Sequence, residues 1–516
     1  MTTPPPADQP TDTRSGLTAF LFDHPAAPDD AIAYWFDGQM TRAQMERAAA
    51  NLADTLRECG VREGQPVAHI VESGPTALSV MFGCWLVGAV YVPINGRITE
   101  AEISGQIAAS EPAAVVAQRA RQSDDSIAWV LNTPEWEWVS RAAARPWNGE
   151  FSPPGTALVM RTSGTTGTAK PVLLRHDGVA EGIDTVLSSL RAKRATDTKP
   201  AGPAMPNLIP TSLALWAGIW NVLFALRAGS PVVLMDRFDT AEFADLVRRH
   251  NIRSTVLAPA MMAMLSEDPR VDDLAPLTMV RSVTAPLTPH QARAFKAKFR
   301  VGIMNCYGQT ELGGEVVGWT AKDMREHGDD KLGSVGRAHD GIDIRVLDDT
   351  GADLATGEVG EIWIRSPYAS RDAAVSERLV DGYLRTGDIG HLDPEGFLWL
   401  EGRASDVINR GGLKVLPHEI EEQLCGLPDV AEACVAGMPD ERLGEVPVAW
   451  VRATAGATLE PAAVLANLRN TLAGYKVPVH VELVNEFPRN EIGKVLRRTL
   501  VEQWAAHHEG DREGTG

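Results

Sequence analysis

Cysteine is scarce in this chain. Its 516 residues include five, Cys59, Cys84, Cys306, Cys425 and Cys434, an odd number set far apart. No Cys-x-x-Cys pair or Cys/His cluster occurs, so neither a disulfide framework nor a structural metal site is expected. Reduced thiols in a cytoplasmic protein are the simplest expectation. Positive charge is also short: 49 Lys and Arg stand against 68 Asp and Glu, a formal net charge of −19. A surface that coats nucleic acid or an anionic membrane needs clustered cations, so neither partner is expected. A nucleotide is not excluded, because a few backbone N–H groups and one lysine can hold a phosphate chain. Residues 1–15 have no basic start and no apolar core. Rich in Pro and Thr, they read as a disordered leader and not a secretion signal. Long apolar runs are nearly absent. Ala77 to Ile94 is the one candidate, and Gly83 and Gly88 interrupt it. A buried helix running into a buried strand accounts for it better than a membrane span does.

What is present is alternation of helix and strand. Thr41-Arg-Ala-Gln44 is a capping box, followed by Met45, Ala48, Leu52 and Leu56 at helical spacing. Strands are predicted at Pro66 to Val71, Ala157 to Arg161, Pro231 to Met235, Ser254 to Leu257 and Met279 to Val283. Helices fall between them, as at Thr240 to His250 and Pro289 to Phe299. This order predicts an α/β fold with two doubly wound parallel sheets. After residue 330, Ile342 to Leu347 and Gly360 to Arg365 alternate like antiparallel strands, suggesting a small β-barrel-like subdomain. After Gly402 a mixed α+β unit of about a hundred residues begins, a usual size for a separate domain.

Four short stretches carry chemistry. Thr162-Ser-Gly-Thr-Thr-Gly-Thr-Ala-Lys170 follows an apolar strand. Its hydroxyls, backbone N–H groups and ammonium can converge on a polyphosphate, although a flexible surface loop has the same composition. In Asn305-Cys-Tyr-Gly-Gln-Thr-Glu311, Tyr307 offers a flat wall and Gly308 close backbone approach. Thr310 can donate to a phosphate oxygen, and Glu311 is a hard oxygen ligand suited to Mg²⁺; a turn before a helix would look similar. Asp381-Gly-Tyr-Leu-Arg-Thr-Gly-Asp388 precedes Gly402-Arg403. A carboxylate there can accept both hydroxyls of a ribose, while the plain alternative is a hairpin with a surface ion pair. Lys494 follows a flexible glycine near the C-terminus and could reach into a distant cleft.

Their order and spacing resemble the adenylate-forming superfamily, which contains acyl-CoA synthetases, aryl-CoA ligases, adenylation domains and beetle luciferases. The resemblance extends from about residue 16 to 505 and includes Ala285-Pro-Leu287, Tyr307-Gly-Gln-Thr-Glu311, Arg385-Thr-Gly-Asp388 and Gly493-Lys494. It implies a two-step reaction. A carboxylic acid and ATP form an acyl-adenylate and pyrophosphate, and coenzyme A then takes the acyl group and releases AMP. On that resemblance, Thr162, Ser163, Gly164, Thr165, Thr166, Gly167 and Lys170 hold the departing phosphates. Thr310 touches the α-phosphate, Glu311 places Mg²⁺, Asp388 takes the ribose hydroxyls, and Arg403 can bridge ribose and phosphate. Thr284, Ala285 and Pro286, with Cys306, Tyr307, Gly308 and Gln309, frame the adenine. Lys494 bridges substrate carboxylate and nucleotide. The resemblance also implies an N-terminal adenylating domain over residues 16–404 and a mobile C-terminal lid over 405–516. The lid turns near Ser405 to bring Gly411 and Gly412 to a pantetheine tunnel.

Three departures from the family pattern stand out. Ser405 occupies the hinge position where Asp or Lys is usual, with Asp406 beside it. The Leu208 to Trp216 loop lacks the histidine many acyl-CoA synthetases carry. Ala169 and Pro171 flank Lys170 where Pro and Gly are usual. The acyl pocket is expected along Leu213, Trp216 and Ile219 and along Val316, with room at Gly313 and Gly314. No Asp occurs in 208–220 to pair with an amino group, so a bulky or extended apolar carboxylic acid is expected. The alternatives are an acyl-AMP synthetase serving a carrier protein or other acceptor, and an inactive nucleotide- or acyl-binding regulator.

Overall fold

The structure is a computed structural model. It describes residues 16–72, 74–118, 128–132, 138–141, 149–162, 170–191, 204–454, 456–489 and 494–512. The expected leader, residues 1–15, lies outside the described residues.

The helix Arg42–Glu58 starts at the capping box. Thr41 Oγ1 accepts the Gln44 N–H at 3.2 Å, and Gln44 Oε1 accepts the Thr41 N–H at 2.8 Å. Met45, Ala48, Leu52 and Leu56 are all buried along one face. The apolar run is a helix, Pro75–Leu86, buried on every side, followed by strand Val90–Asn95. A helix without a polar face belongs in a core, and no described helix is long and apolar enough to cross a membrane.

The fold is mixed α/β, with a large N-terminal domain of sheets and a small C-terminal domain. A seven-stranded sheet has the spatial order 138–141, 128–132, 114–117, 66–71, 90–95, 156–162, 170–175. Its five middle strands are parallel and its two outermost pairings antiparallel. A second sheet runs 254–257, 279–282, 302–309, 314–318, 337–338, and its last two pairings are also antiparallel. The sheets are therefore mixed at their edges and not uniformly parallel as expected. For the pairs joined after Thr162 and Gln309 the reason is connection length: a parallel crossover needs a dozen or more residues, and those links are shorter. A third sheet of four strands holds Pro231 to Met235 as Val232–Leu234, between 207–209 and 31–35.

The antiparallel region after residue 330 is a five-stranded sheet built from 343–347, 360–365, 379–380, 383–392 and 398–403. Beyond the single turn Ala404–Asp406, strands 408–410, 413–415, 430–440, 444–453 and 480–483 form a separate sheet. Its core holds Ile408, Val415, Ile420, Val435, Ala449 and Val481. The two domains touch through ion pairs, Arg452 Nη2 to Glu267 Oε1 at 2.9 Å and Lys414 to Asp349.

Candidate active site

Asp388 lies on strand Tyr383–Leu392, where the pleat sends Leu384, Thr386 and Asp388 inward. It is directly opposite Arg403 on the next strand, and Arg403 Nε is 3.1 Å from its Oδ1. Its Oδ2 accepts the Tyr307 hydroxyl at 2.6 Å and the Gln309 side-chain amide at 2.7 Å. Tyr307 belongs to strand Gly302–Gln309 of the second parallel sheet, so the carboxylate joins two subdomains. Burial, then the Asp388 charge, pushes the Tyr307 phenol well above its ordinary value, which keeps it a donor. The carboxylate is 8% exposed and orients three neighbours of opposite or complementary polarity.

Gly308 and Gly314 shape the turn that follows. A Cβ on Gly308 would stand 1.9 Å from the Gly314 carbonyl oxygen, so only glycine lets the two strands pair here. Thr310 opens a single 3₁₀ turn, Thr310–Leu312, which carries Glu311. Glu311 Oε1 accepts Arg378 Nη1 at 3.0 Å. Among the described residues no cluster of three or more His, Cys, Asp or Glu could hold a metal by itself. One carboxylate is nevertheless compatible with Mg²⁺, which usually takes a carboxylate or two together with waters and substrate phosphates.

Lys494 comes from the C-terminal domain and lies within range of the charges of Arg403, Asp406, Arg497 and Asp388. Burial, then the Arg403 charge, holds its ammonium below the ordinary lysine value. Asp406 accepts the Ser405 hydroxyl at 3.1 Å and Arg497 Nη1 at 3.2 Å, so the turn at the expected hinge is tied to the last helix. Gly411 and Gly412 form the exposed two-residue turn of the hairpin 408–415, with φ of +58° and +87°.

The other expected positions are placed unevenly. Residues 163–169, which include Ser163, Gly164, Thr165, Thr166 and Gly167, lie outside the described residues, as does Gly493. Thr162 and Lys170 pair across the antiparallel strands that bracket the loop, and Lys170 Nζ is 3.9 Å from Glu377. Thr284 has φ +75°, and its buried Oγ1 has no hydrogen-bond partner among the described residues. Ala285 is half-buried and Pro286 exposed. The Cys306 thiol donates to the Ser282 carbonyl at 3.2 Å and lies against Arg281 and Glu315, on the face of the strand opposite Tyr307.

The expected acyl wall is close-packed. Leu213, Trp216, Ile219 and Val316 all belong to the main hydrophobic core. Gly313 and Gly314 leave no room beside them. A Cβ on Gly313 would meet the Tyr368 carbonyl at 2.7 Å, and one on Gly314 would meet Trp220 Nε1 at 2.5 Å. Trp220 stacks on Phe224 at 5.2 Å, and the Arg281 guanidinium stands 5.9 Å from the Phe224 ring. Arg281 pairs with Glu315, whose other oxygen is 2.9 Å from His339 Nε2. Burial alone would raise the Glu315 carboxyl, but the Arg281 charge and the His339 hydrogen bond outweigh it and hold it low. Trp216 and Trp220 thus pack beside the apolar Leu213, Ile219 and Val316 in one core. Sequence reasoning missed Arg281, Glu315, His339 and Arg378; only the register Gly308↔Glu315, invisible before pairing, marks Glu315.

Residues 21–372 match the AMP-binding enzyme family, and residues 419–494 match its C-terminal domain. The chain belongs to the AMP-binding enzyme family. The adenylate-forming resemblance is thereby borne out. Asp388 and Arg403 fall between the two matched stretches, and Lys494 ends the second. An indoleacetate–CoA ligase of Aromatoleum aromaticum is 33% identical over 501 residues, covering 90% of this chain and 95% of that protein. A fatty acid–[acyl-carrier-protein] ligase of Streptomyces coeruleorubidus, ScoC, is 29% identical, covering 89% and 91%. ATP-bound MatB from Rhodopseudomonas palustris superposes with a TM-score of 0.82 at 26% identity, covering 95% of this chain and 98% of MatB.

Proposed function

We propose that this enzyme activates an apolar carboxylic acid with ATP and Mg²⁺ to an acyl-adenylate and transfers the acyl group to coenzyme A. The observation that carries the reading is the meeting of Asp388, Arg403 and Lys494, two from the N-terminal domain and one from the C-terminal domain. The names of the indoleacetate–CoA and carrier-protein ligases support an acid-thiol reaction. A cytoplasmic setting accords with reduced thiols.

In the first step Asp388 receives the ribose hydroxyls in place of part of its present hydrogen bonding, and Arg403 stands by the α-phosphate side. Lys170 and residues 162–167 take the pyrophosphate oxygens, and Thr310 donates to the α-phosphate. Glu311 would hold Mg²⁺, which supplies charge neutralisation on the phosphates. Lys494 holds the attacking carboxylate against the nucleotide, and charge stabilisation by such fixed groups is the main catalytic term in phosphoryl chemistry. Residues 405–516 form the lid, and Ser405 within Ala404–Asp406 is the hinge about which Gly411 and Gly412 reach the thiol's path. The Trp216–Trp220 side of the pocket limits the acid's bulk.

ScoC's printed acceptor keeps a second reading in play, in which an acyl carrier protein receives the acyl group. Acid-dependent ATP–pyrophosphate exchange across a panel of acids tests the first step. Product analysis with coenzyme A and with a holo carrier protein then separates the acceptors. No exchange with any acid would leave a nucleotide-binding regulator and end the ligase reading.

A further inference from the structure

Arg378 belongs to none of the recognisable motifs, yet it touches two of them. It lies between the short helix Ala373–Ser376 and strand Leu379–Val380. Its Nε donates to the Arg385 carbonyl at 3.0 Å, and its Nη2 donates to the carbonyls of Arg385 at 2.8 Å and Thr386 at 2.9 Å. Those carbonyls lie two and three residues before Asp388 on the same strand and fix the plane of the guanidinium. What remains is aimed at the other strand: Nη1 donates to Glu311 Oε1 at 3.0 Å, and Nη2 to Gln309 Oε1 at 3.4 Å.

Two consequences follow from the donor inventory. A guanidinium only donates, so the Gln309 atom facing it is the carbonyl oxygen and the opposite end is the NH₂ group. That NH₂ group donates to Asp388 Oδ2 at 2.7 Å and to the Thr386 carbonyl at 3.0 Å. Glu311, 14% exposed at its side chain, is held through one oxygen. Among the described residues its Oε2 takes no hydrogen bond, which leaves that oxygen for a cation. The preceding residue, Glu377, has its carboxylate 3.9 Å from Lys170, so adjacent residues reach the phosphate-loop lysine and the metal-side carboxylate.

We infer that Arg378 is a positioning residue of the nucleotide site, holding the Glu311 carboxylate for Mg²⁺ and orienting the Gln309 amide on Asp388. The inference rests on the reading above of Glu311 and Asp388 as the metal-side and ribose-side groups. Lysine cannot replace it fully. A planar fork serves carbonyls on one side and a carboxylate and amide on the other, whereas an ammonium is a compact point charge.

The test is ATP binding to the full chain by titration calorimetry, with Mg²⁺ and with EDTA, in wild type, Arg378→Gln, Arg378→Lys, Glu311→Gln and Arg378→Gln/Glu311→Gln. Arg378→Gln is expected to weaken MgATP binding about tenfold or more, as loss of hydrogen bonds to charged groups does. Most of that loss should vanish in the Glu311→Gln background, since groups that act together are not additive. Arg378→Lys, which keeps charge and is the milder change for folding, should recover part of the Mg²⁺-dependent gain and little of the binding measured in EDTA. Unaltered MgATP binding in Arg378→Gln, or losses that add fully with Glu311→Gln, would overturn the inference while leaving the ligase reading intact. A wild-type chain that binds no ATP in either buffer would overturn both.

Discussion

Arg403 lies directly across an antiparallel strand pair from Asp388, with its Nε 3.1 Å from the carboxylate, and the same guanidinium lowers the affinity of Lys494 for its proton. One cation therefore pairs with the Asp388 carboxylate and tunes a lysine delivered by the other domain.

That arrangement sets a pH limit. Lys494 must be protonated to hold a carboxylate, and burial followed by the Arg403 charge brings its deprotonation below the ordinary lysine range. Adenylation should therefore fall on an alkaline limb below that range, and Arg403→Gln should move the limb upward by removing a like charge. Pyrophosphate exchange measured against pH checks this. Lys494→Ala should slow exchange by about 10²–10³-fold, the scale of a lost charge-stabilising group, while acyl transfer from preformed acyl-AMP persists. Equal loss of both would contradict the role.

Asp388→Asn keeps the size of the side chain and removes its charge. With about 1.5–3 kcal/mol lost per hydrogen bond to a charged group, the ATP KM should rise at least about tenfold. The acid KM should hardly change. An unaltered ATP KM would remove Asp388 from the ribose.

Trp220 blocks the space beside Gly314 and stacks on Phe224. Trp220→Leu should shift the acid preference toward bulkier or longer substrates, read as the ratio of kcat/KM values for a short and a long acid. Truncating a buried tryptophan to alanine costs about 3–5 kcal/mol, so leucine is the better probe. A ratio unchanged within twofold would show that Trp220 does not face the acid.

Stability should also depend on pH away from the site. Burial lowers His69 to about 3, and its Nδ1 lies 2.9 Å from the Tyr91 hydroxyl. The unfolded chain takes up a proton near pH 6.5 that the folded chain refuses, so stability is full above about 6.5 and is lost as pH falls toward 3. Each unit well below 6.5 costs up to about 1.4 kcal/mol. A His69→Gln variant should show a shallower decline of Tm between pH 7 and 5.

Much of the fold was legible because it is written locally. Helix Pro289–Phe299, helix Thr240–Arg249 and strand Ser254–Leu257 fall where periodicity and caps place them. The same holds for the buried helix at Pro75, whose apolarity on all sides states its burial. The antiparallel strands Lys170–Arg175 and Gly314–Gly318 were not legible, since strand direction depends on the length and path of the connection. The surroundings of Gly313 and Gly314 were hidden for a related reason. Gly313 and Gly314 leave room in a sequence, but Tyr368 and Trp220, distant in the chain, fill it.

The sequence alone determined the family and its adenylate-forming motifs, and with them the expectation for Asp388, Glu311 and Lys494, because the residues of each motif lie close together along the chain. Tertiary structure decided which of them meet and what restrains them. The Asp388–Arg403 pairing follows from strand register, and the Glu311–Arg378 contact links residues 67 positions apart. Lys494 comes within range of the Asp388 and Arg403 charges only through the docking of a separately cored domain. Such contacts arise from hydrogen-bond geometry between elements, which no single stretch of sequence encodes.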